Sequence, residues 1–268
     1  MELIQSLILG AIQGITEFFP ISSTAHLVLL PWFFSWQDKG LPFNVALHMG
    51  SLMAIIYYFW QDWVLIIREF LKCLFSGSFS TSPAGKIGLY LIIATIPGAV
   101  AGVLFESQAA GILRHPLYVA FSLSFFGVVL YISDRFSFKS KSVEEMSVTD
   151  CILIGVVQAL AIVPGVSRSG ITITGAMFRG FKRDEAAKFS FMLAAPLIAG
   201  AGVFETRHLE LSSVMSVPFI AGIAASALFA FLAIKYLLKY VRHRSYNVFV
   251  IYRLALAVLI VFLYLYKN

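Results

Sequence analysis

Residues 10–26 read GAIQGITEFFPISSTAH, and residues 155–172 read GVVQALAIVPGVSRSGIT. Each is an apolar helical run that carries a glutamine, breaks at a proline (Pro20 or Pro164) and resumes behind a cluster of hydroxyls. Proline lacks the N–H that a helix interior needs and pushes the residue before it away from helical geometry, so a break is predicted at both. Glu17 and Arg168 stand at these breaks, and an ionisable group in apolar surroundings marks a functional site by default. Two such breaks at matching places in two halves of one chain point to a site where the halves meet.

Outward from these stretches the chain reads as a membrane protein. Of its 268 residues 59% are hydrophobic and 13% charged, with a mean hydropathy of +0.86; soluble domains carry about a quarter charged residues. Windows at 43–60, 86–106, 116–134, 185–204, 215–238 and 247–266 are long enough to cross a bilayer. The predicted fold is therefore an all-α polytopic membrane protein: six transmembrane helices plus two re-entrant broken helix pairs, at about 2–34 and 149–178. Reading each break as two full spans would leave the second with arms of 15 and 13 residues (149–163 and 166–178), short for about 30 Å of hydrocarbon. Met1 to Leu9 is apolar, with no basic region before it and no small-residue cleavage site after it, and is expected to stay in the mature protein as the start of the first broken helix.

The net charge of +6 could suggest nucleic acid, but the basic residues are scattered through interhelical loops with no soluble domain to hold them. Topology explains them. With six spans, Arg68, Lys72, Lys86, Arg135, Lys139, Lys141, Arg179, Lys182, Arg183, Lys188, Lys235, Lys239, Arg242 and Arg244 fall on one side, and Lys39, Arg114, Arg207 and Lys267 on the other. Fourteen against four assigns the first group to the cytoplasm. The first broken segment then enters from outside and the second from the cytoplasm. This predicts one integral membrane domain, 1–268, built of inverted pseudo-repeats at about 1–138 and 145–268. The stretch 61–82 fits either an interfacial amphipathic helix or an extension of the preceding span. Cys73 and Cys151 make no metal-ligand spacing and are expected to be packing residues.

A helix that begins at mid-membrane presents unpaired N–H groups and the positive end of its dipole. The arms starting near Ser22 and Ser167 thus suit a phosphate or other anion, with Ser22, Ser23, Ser167 and Ser169 as hydroxyl donors and Arg168 as a planar fork for two phosphate oxygens. Gln13 and Glu17, four apart, share a helix face, and so do Ser22, Ser23 and His26 on the next arm. A hydroxyl, an imidazole and a carboxylate are the groups used to activate a nucleophile or move a proton. A carboxylate facing phosphate calls for a proton or a divalent metal between them. Ser, Thr and Gln also serve in membrane helices as plain interhelical hydrogen bonds. His48 is expected to pack or support the site from behind, and Glu106 and Arg253 to snorkel from span ends.

Gln13–Glu17 followed by Pro20, Ser22, Ser23, Thr24 and His26 resembles the (E/Q)xxxE and P-x-S-S-T-x-H region of bacterial undecaprenyl-diphosphate phosphatases, the bacitracin-resistance type. Pro164 to Thr172 matches that family's PGxSRSxxT motif at every specified position. The resemblance extends over essentially the whole chain; the first motif begins with Gln13 rather than Glu, leaving one carboxylate there. It implies hydrolysis of undecaprenyl diphosphate, a C55 isoprenoid lipid, to the monophosphate and inorganic phosphate. That recycles the lipid carrier of peptidoglycan synthesis and confers bacitracin resistance. It also implies a divalent metal (Mg²⁺ or Ca²⁺), a multi-pass location in the bacterial cytoplasmic (inner) membrane, and a site open to the periplasmic face. Ser23, His26, Glu17 and Arg168 become the expected catalytic set, with Glu17 also the metal ligand. Ser22, Thr24, Ser167, Ser169, Gly165, Thr172 and Gln13 form the expected phosphate-binding set. The expected partners are the lipid substrate and the bilayer, no nucleic acid, and a homodimer as an open assembly. Attack by Ser23, by water or by His26 stays open, as does a flippase or transporter using the same phosphate site. A membrane phosphatase type built on a Lys–Arg motif and two His is set aside, since no His follows Arg168 before His208.

Overall fold

A computed structural model describes residues 2–37, 39–79, 82–105, 107–108, 111–205 and 216–267, with backbone alone at Leu41 and Glu205. Glu106, Arg207, His208 and the expected outer loop 206–214 lie outside the described residues. Most of the rest is helical: α1 (Glu2–Phe18), α2 (Ser23–Phe34), α3 (Gly40–Tyr58), α4 (Trp60–Ser76), α5 (Pro83–Leu104), α6 (Pro116–Phe136), α7 (Val148–Gln158), α8 (Arg168–Phe178), α9 (Arg183–Glu205), α10 (Val217–Val241) and α11 (Asn247–Lys267). The chain is an all-α polytopic membrane protein. Helices α5, α6, α9, α10 and α11 are long and apolar enough to cross a bilayer. Against the six spans expected, the α3–α4 pair supplies a sixth only if counted as one, and it is bent by 80°, so 61–82 does not continue in the direction of α3. Instead α4 turns aside and packs on α5, where Gly88 leaves room for Ile66 and Phe70.

The two broken pairs cannot be spans. The arms α2 and α8 have 12 and 11 residues, or about 16–18 Å of helix. Each pair returns to the end it came from. Asp150 in the first turn of α7 pairs with Arg179, just past α8, at 2.7 Å, and with Lys141. Around them Arg183 pairs with Asp134 and Arg242 with Asp184, so the loops counted as cytoplasmic converge on one end of the molecule. At the opposite end Lys267, the last residue of α11, donates to the Trp32 carbonyl near the end of α2.

Small residues fix the direction of each entering arm. Gly10 and Gly14 of α1 lie against Gly222 and Ser226 of α10 so closely that an added Cβ would come within 2.2 Å and 2.4 Å of their carbonyl oxygens, the close backbone approach that small residues allow in membranes. Gly155 of α7 lies in the same way on Ala94 of α5, one turn beyond the Cys151 thiol that donates to the Tyr90 carbonyl. Rising numbers match rising numbers in both pairs, so α1 runs parallel to α10 and α7 parallel to α5. Since α5 starts and α10 finishes at the basic end, the two broken pairs enter from opposite ends. Both cysteines are buried and free.

Candidate active site

The two breaks adopt one conformation. Ser22 caps α2 at φ 72°, ψ 96°, its Oγ accepting from the Ala25 N–H. Ser167 caps α8 at φ 71°, ψ 113°, its Oγ accepting from the Gly170 N–H. A non-glycine residue at positive φ costs about 1–3 kcal/mol and persists only where the surroundings enforce it. Here each break enforces the other. The Gly165 N–H donates to Ser22 Oγ at 3.1 Å, and Ser169 Oγ donates to the Phe19 carbonyl at 3.3 Å.

Glu17 is the electrostatic centre. Arg168 binds its Oε1, while Ser23 Oγ and Gln13 Nε2 donate to its Oε2 at 2.7 Å and 2.9 Å. The Nε2 of His48, on α3, lies 3.3 Å from the same oxygen. His48 Nδ1 donates to the Asn44 carbonyl at 2.7 Å, which fixes the ring and aims Nε2 at the carboxylate. Arg168 also donates to the Ser190 carbonyl of α9 at 3.1 Å. Its charge and that of Glu17 compensate one another where either alone would be costly.

These groups face a cavity of about 250 Å³ whose wall includes Glu17, Ser22, Ser23, Thr24, Ser167 and Arg168. His48 and Gln158 complete its polar lining. Gln13, His26, Gly165, Ser169 and Thr172 stand behind the wall. Gln13 is spent on Glu17. Thr172 Oγ1 bonds the Arg168 carbonyl and Ser190 Oγ at 2.8 Å and 2.6 Å, locking α8 to α9. Of the residues expected to contact phosphate, Gln13, Gly165, Ser169 and Thr172 lie outside the cavity lining and bond to the residues in front. His26 does not meet Ser23 either. Its Nδ1 donates to the Ser22 carbonyl and its Nε2 accepts from the Tyr252 hydroxyl, both at 2.7 Å, while the Ser23 hydroxyl meets Glu17.

A second cavity of about 420 Å³ adjoins the first, sharing Thr24, Val45, Gly98, Gly102 and Leu197, and is lined mainly by apolar residues, with Thr95 and Arg114 among the polar ones. It runs toward Val103, Arg114 and Phe204, at the end opposite the basic cluster. Gly98 and Ile198 each lie 15 residues into their helices, so the polar cavity sits about 22 Å from the basic end.

Two residues escaped the sequence reading. Arg253 does not snorkel: it is fully buried, with its guanidinium on backbone carbonyls of both breaks. His48 reaches Glu17 directly; its position one turn after Asn44 in an apolar span was the available signal.

Among the described residues no three His, Cys, Asp or Glu side chains converge as a metal cage. Glu17 is the one carboxylate of the cavity wall, and beside it the buried Gln13 Oε1 has no hydrogen-bond partner. One carboxylate with an amide oxygen near it falls short of a protein-only cage. It does fit Mg²⁺, which takes one or two carboxylates and completes its shell with substrate phosphate oxygens and water.

The fold and site together define an integral membrane protein with a polar cavity between its two helix breaks, in which a hydroxyl is hydrogen-bonded to a carboxylate beside an arginine. The profile of the family described as bacitracin resistance protein BacA matches residues 6–259, and the chain belongs to that family. It is 47% identical over 261 residues to the undecaprenyl-diphosphatase of Moorella thermoacetica, covering 97% of each chain. It is 45% identical to that of Pelotomaculum thermopropionicum, covering 98% of this chain and 97% of the other, and 41% identical to that of Desulforudis audaxviator over the full length of both.

Proposed function

We propose that this protein is an undecaprenyl-diphosphate phosphatase that cleaves the lipid diphosphate to lipid monophosphate and inorganic phosphate. The observation that carries the reading is the Ser23 hydroxyl donating to Glu17 Oε2 at 2.7 Å, in a cavity that Arg168 and the α8 N-terminus also face. The terminal phosphate sits against Arg168 and the N–H groups at the starts of α2 and α8, where the helix dipoles favour negative charge. Ser23 Oγ attacks the terminal phosphorus and its proton passes to Glu17; the P–O anhydride bond breaks and the lipid monophosphate leaves. Water then releases phosphate from Ser23, with Glu17 again holding the proton. His48, at 3.3 Å, is placed to exchange that proton with Glu17. His26, committed through both nitrogens, holds the turn that carries Ser23. A divalent cation would bind at Glu17 with Gln13 beside it and neutralise phosphate charge.

The adjoining apolar cavity suits the first isoprene units of the tail, leaving the remainder in lipid. Its direction supports a site open to the outer face, given the charge bias that sets the basic end in the cytoplasm. A bacterial inner-membrane location, carrier recycling for peptidoglycan and bacitracin resistance follow from that reaction. The opposed entry of the two broken pairs, each against its own parallel partner, supports an inverted repeat over about 1–138 and 145–268. Because that architecture also serves transporters, a flippase is the second reading. Purified protein in detergent, with no second compartment, should release phosphate from undecaprenyl diphosphate. Ser23→Ala should lower turnover by about three orders of magnitude or more while still binding a methylene-bridged diphosphate analogue. Binding without any phosphate release by wild type would favour the flippase; near-normal turnover by Ser23→Ala would favour direct attack by water.

A further inference from the structure

Arg253 of α11 is fully buried, lines neither cavity, and makes no ion pair among those of the described residues. Its hydrogen bonds go to backbone carbonyls: Nε to Leu123 at 3.0 Å, Nη1 to Pro20 at 3.1 Å, and Nη2 to Gly165 at 2.8 Å, Val166 at 3.1 Å and Ser122 at 3.4 Å. Gly170 makes room for its guanidinium, and Gly127 packs against its stem. A Cβ on Gly170 would lie 3.0 Å from Arg253 Nη1, closer than the arginine could accept without shifting, whereas one on Gly127 would make ordinary contact at 3.5 Å.

The choice of carbonyls is informative. Pro20, Gly165 and Val166 belong to the breaks, where helical hydrogen bonding stops and carbonyls need partners from elsewhere. Pro20 lies two residues before the cap Ser22 and three before Ser23. Val166 lies one residue before the cap Ser167 and two before Arg168. One rigid guanidinium therefore grips the chain just ahead of the attacking hydroxyl and just ahead of the phosphate-holding arginine, and ties both to α6. Only a planar fork with five N–H donors can span such a set.

We infer that Arg253 is a positioning residue for the phosphatase reaction, setting the distance between the Ser23 turn and the Arg168 turn and holding both cap serines at positive φ. This rests on the phosphatase reading proposed above. Lysine keeps the charge without the fork, so Arg253→Lys should leave the fold and the anion site while loosening the two turns relative to one another.

The test compares wild type, Arg253→Lys and Arg253→Met for phosphate release from undecaprenyl diphosphate, affinity for its methylene-bridged analogue, and thermal unfolding. A fourth readout is the distance between spin labels at Phe34 and Phe178, the exposed far ends of α2 and α8, on a background lacking Cys73 and Cys151. Arg253→Lys should unfold like wild type and bind the analogue within about threefold, yet lose about 100-fold in kcat, the scale of an ångström-sized misplacement. Arg253→Met should be slower still, and the label distribution should broaden in both. Turnover of Arg253→Lys within threefold of wild type would overturn the assignment. So would a loss carried by affinity, or collapse of thermal stability in Arg253→Lys. Should Arg253→Met fail to fold, the lysine variant decides. If wild type releases no phosphate, the phosphatase reading fails, and the label distances still report whether Arg253 sets the two turns.

Discussion

Replacing Glu17 with Gln separates the charge of the site from its shape. The amide has nearly the same volume and keeps one acceptor oxygen, so Ser23, Gln13 and Arg168 can each still find a hydrogen bond, but no group remains to take the Ser23 proton. Removing a general base lowers turnover by about 10²–10⁴-fold. The substitution also strands Arg168, whose side chain is only 10% exposed. Truncating one partner of a buried ion pair costs about 3–5 kcal/mol, and the hydrogen bonds that Gln retains, each about 1 kcal/mol, offset part of that. A net loss of about 1–4 kcal/mol is expected in the substrate-free protein. A bound diphosphate supplies Arg168 with a new anion and meets no opposing carboxylate, so the analogue should bind Glu17→Gln at least as tightly as wild type. At 100-fold over its dissociation constant it should return about 2.7 kcal/mol of stability. Phosphate release in detergent, thermal unfolding with and without the analogue, and a titration with Mg²⁺ or Ca²⁺ measure the three effects. Turnover within tenfold of wild type across the metal titration would refute the role given to Glu17. Analogue binding lost in step with turnover would refute the idea that its charge competes with phosphate for Arg168.

Arg168→Lys should recover little of the activity lost in Arg168→Ala, because an ammonium cannot serve Glu17, the Ser190 carbonyl and a phosphate with one rigid fork; steady-state phosphate release on both variants checks this. Gly14→Leu should destabilise the α1–α10 contact by about 1–3 kcal/mol or more, since the first added carbon would already lie 2.4 Å from the Ser226 carbonyl oxygen; thermal unfolding reads it. On a background lacking Cys73 and Cys151, a membrane-impermeant thiol reagent should label a cysteine at Ile112 but not one at Ser142 in intact spheroplasts, and the opposite pattern would reverse the orientation drawn from the charge count.

What the sequence made legible was the architecture and the meeting of the breaks. Short arms, prolines and hydroxyls dictate a broken helix by local rules, and a charge bias summed over many loops survives errors in any one of them. The side of a helix that a polar group faces was harder. Ser23 and His26 share a face by spacing, yet Ser22, at positive φ, turns the start of α2 so that Ser23 meets Glu17 while His26 meets Tyr252. Spacing rules assume regular backbone, and here the site lies on the irregular part. Arg253 and His48 were missed for a related reason. Each is a single polar residue in an apolar span, which by sequence alone fits a snorkelling or packed side chain equally well. Only the partners reveal the difference, and those lie 87 residues or more away for Arg253 at the breaks and 31 for His48.

The two breaks are alike in backbone and unlike in chemistry, and the reaction needs both properties. Matched caps aim two helix N-termini at one cavity from opposite directions, which concentrates positive potential where a diphosphate would carry negative charge. Were the side chains matched as well, the cavity would hold two carboxylates or two arginines, the first repelling the substrate and the second offering no base. Instead the first break carries Ser23 and Glu17 and the second carries Arg168, so in the proposed reaction attacking group and base come from one break and the anion clamp from the other. Their alignment depends on the seam between the breaks: Gly165 on Ser22, Ser169 on Phe19, and Arg253 across both. A substitution in that seam should therefore slow catalysis without touching substrate, which is why residues behind the cavity wall matter as much to turnover as those that line it.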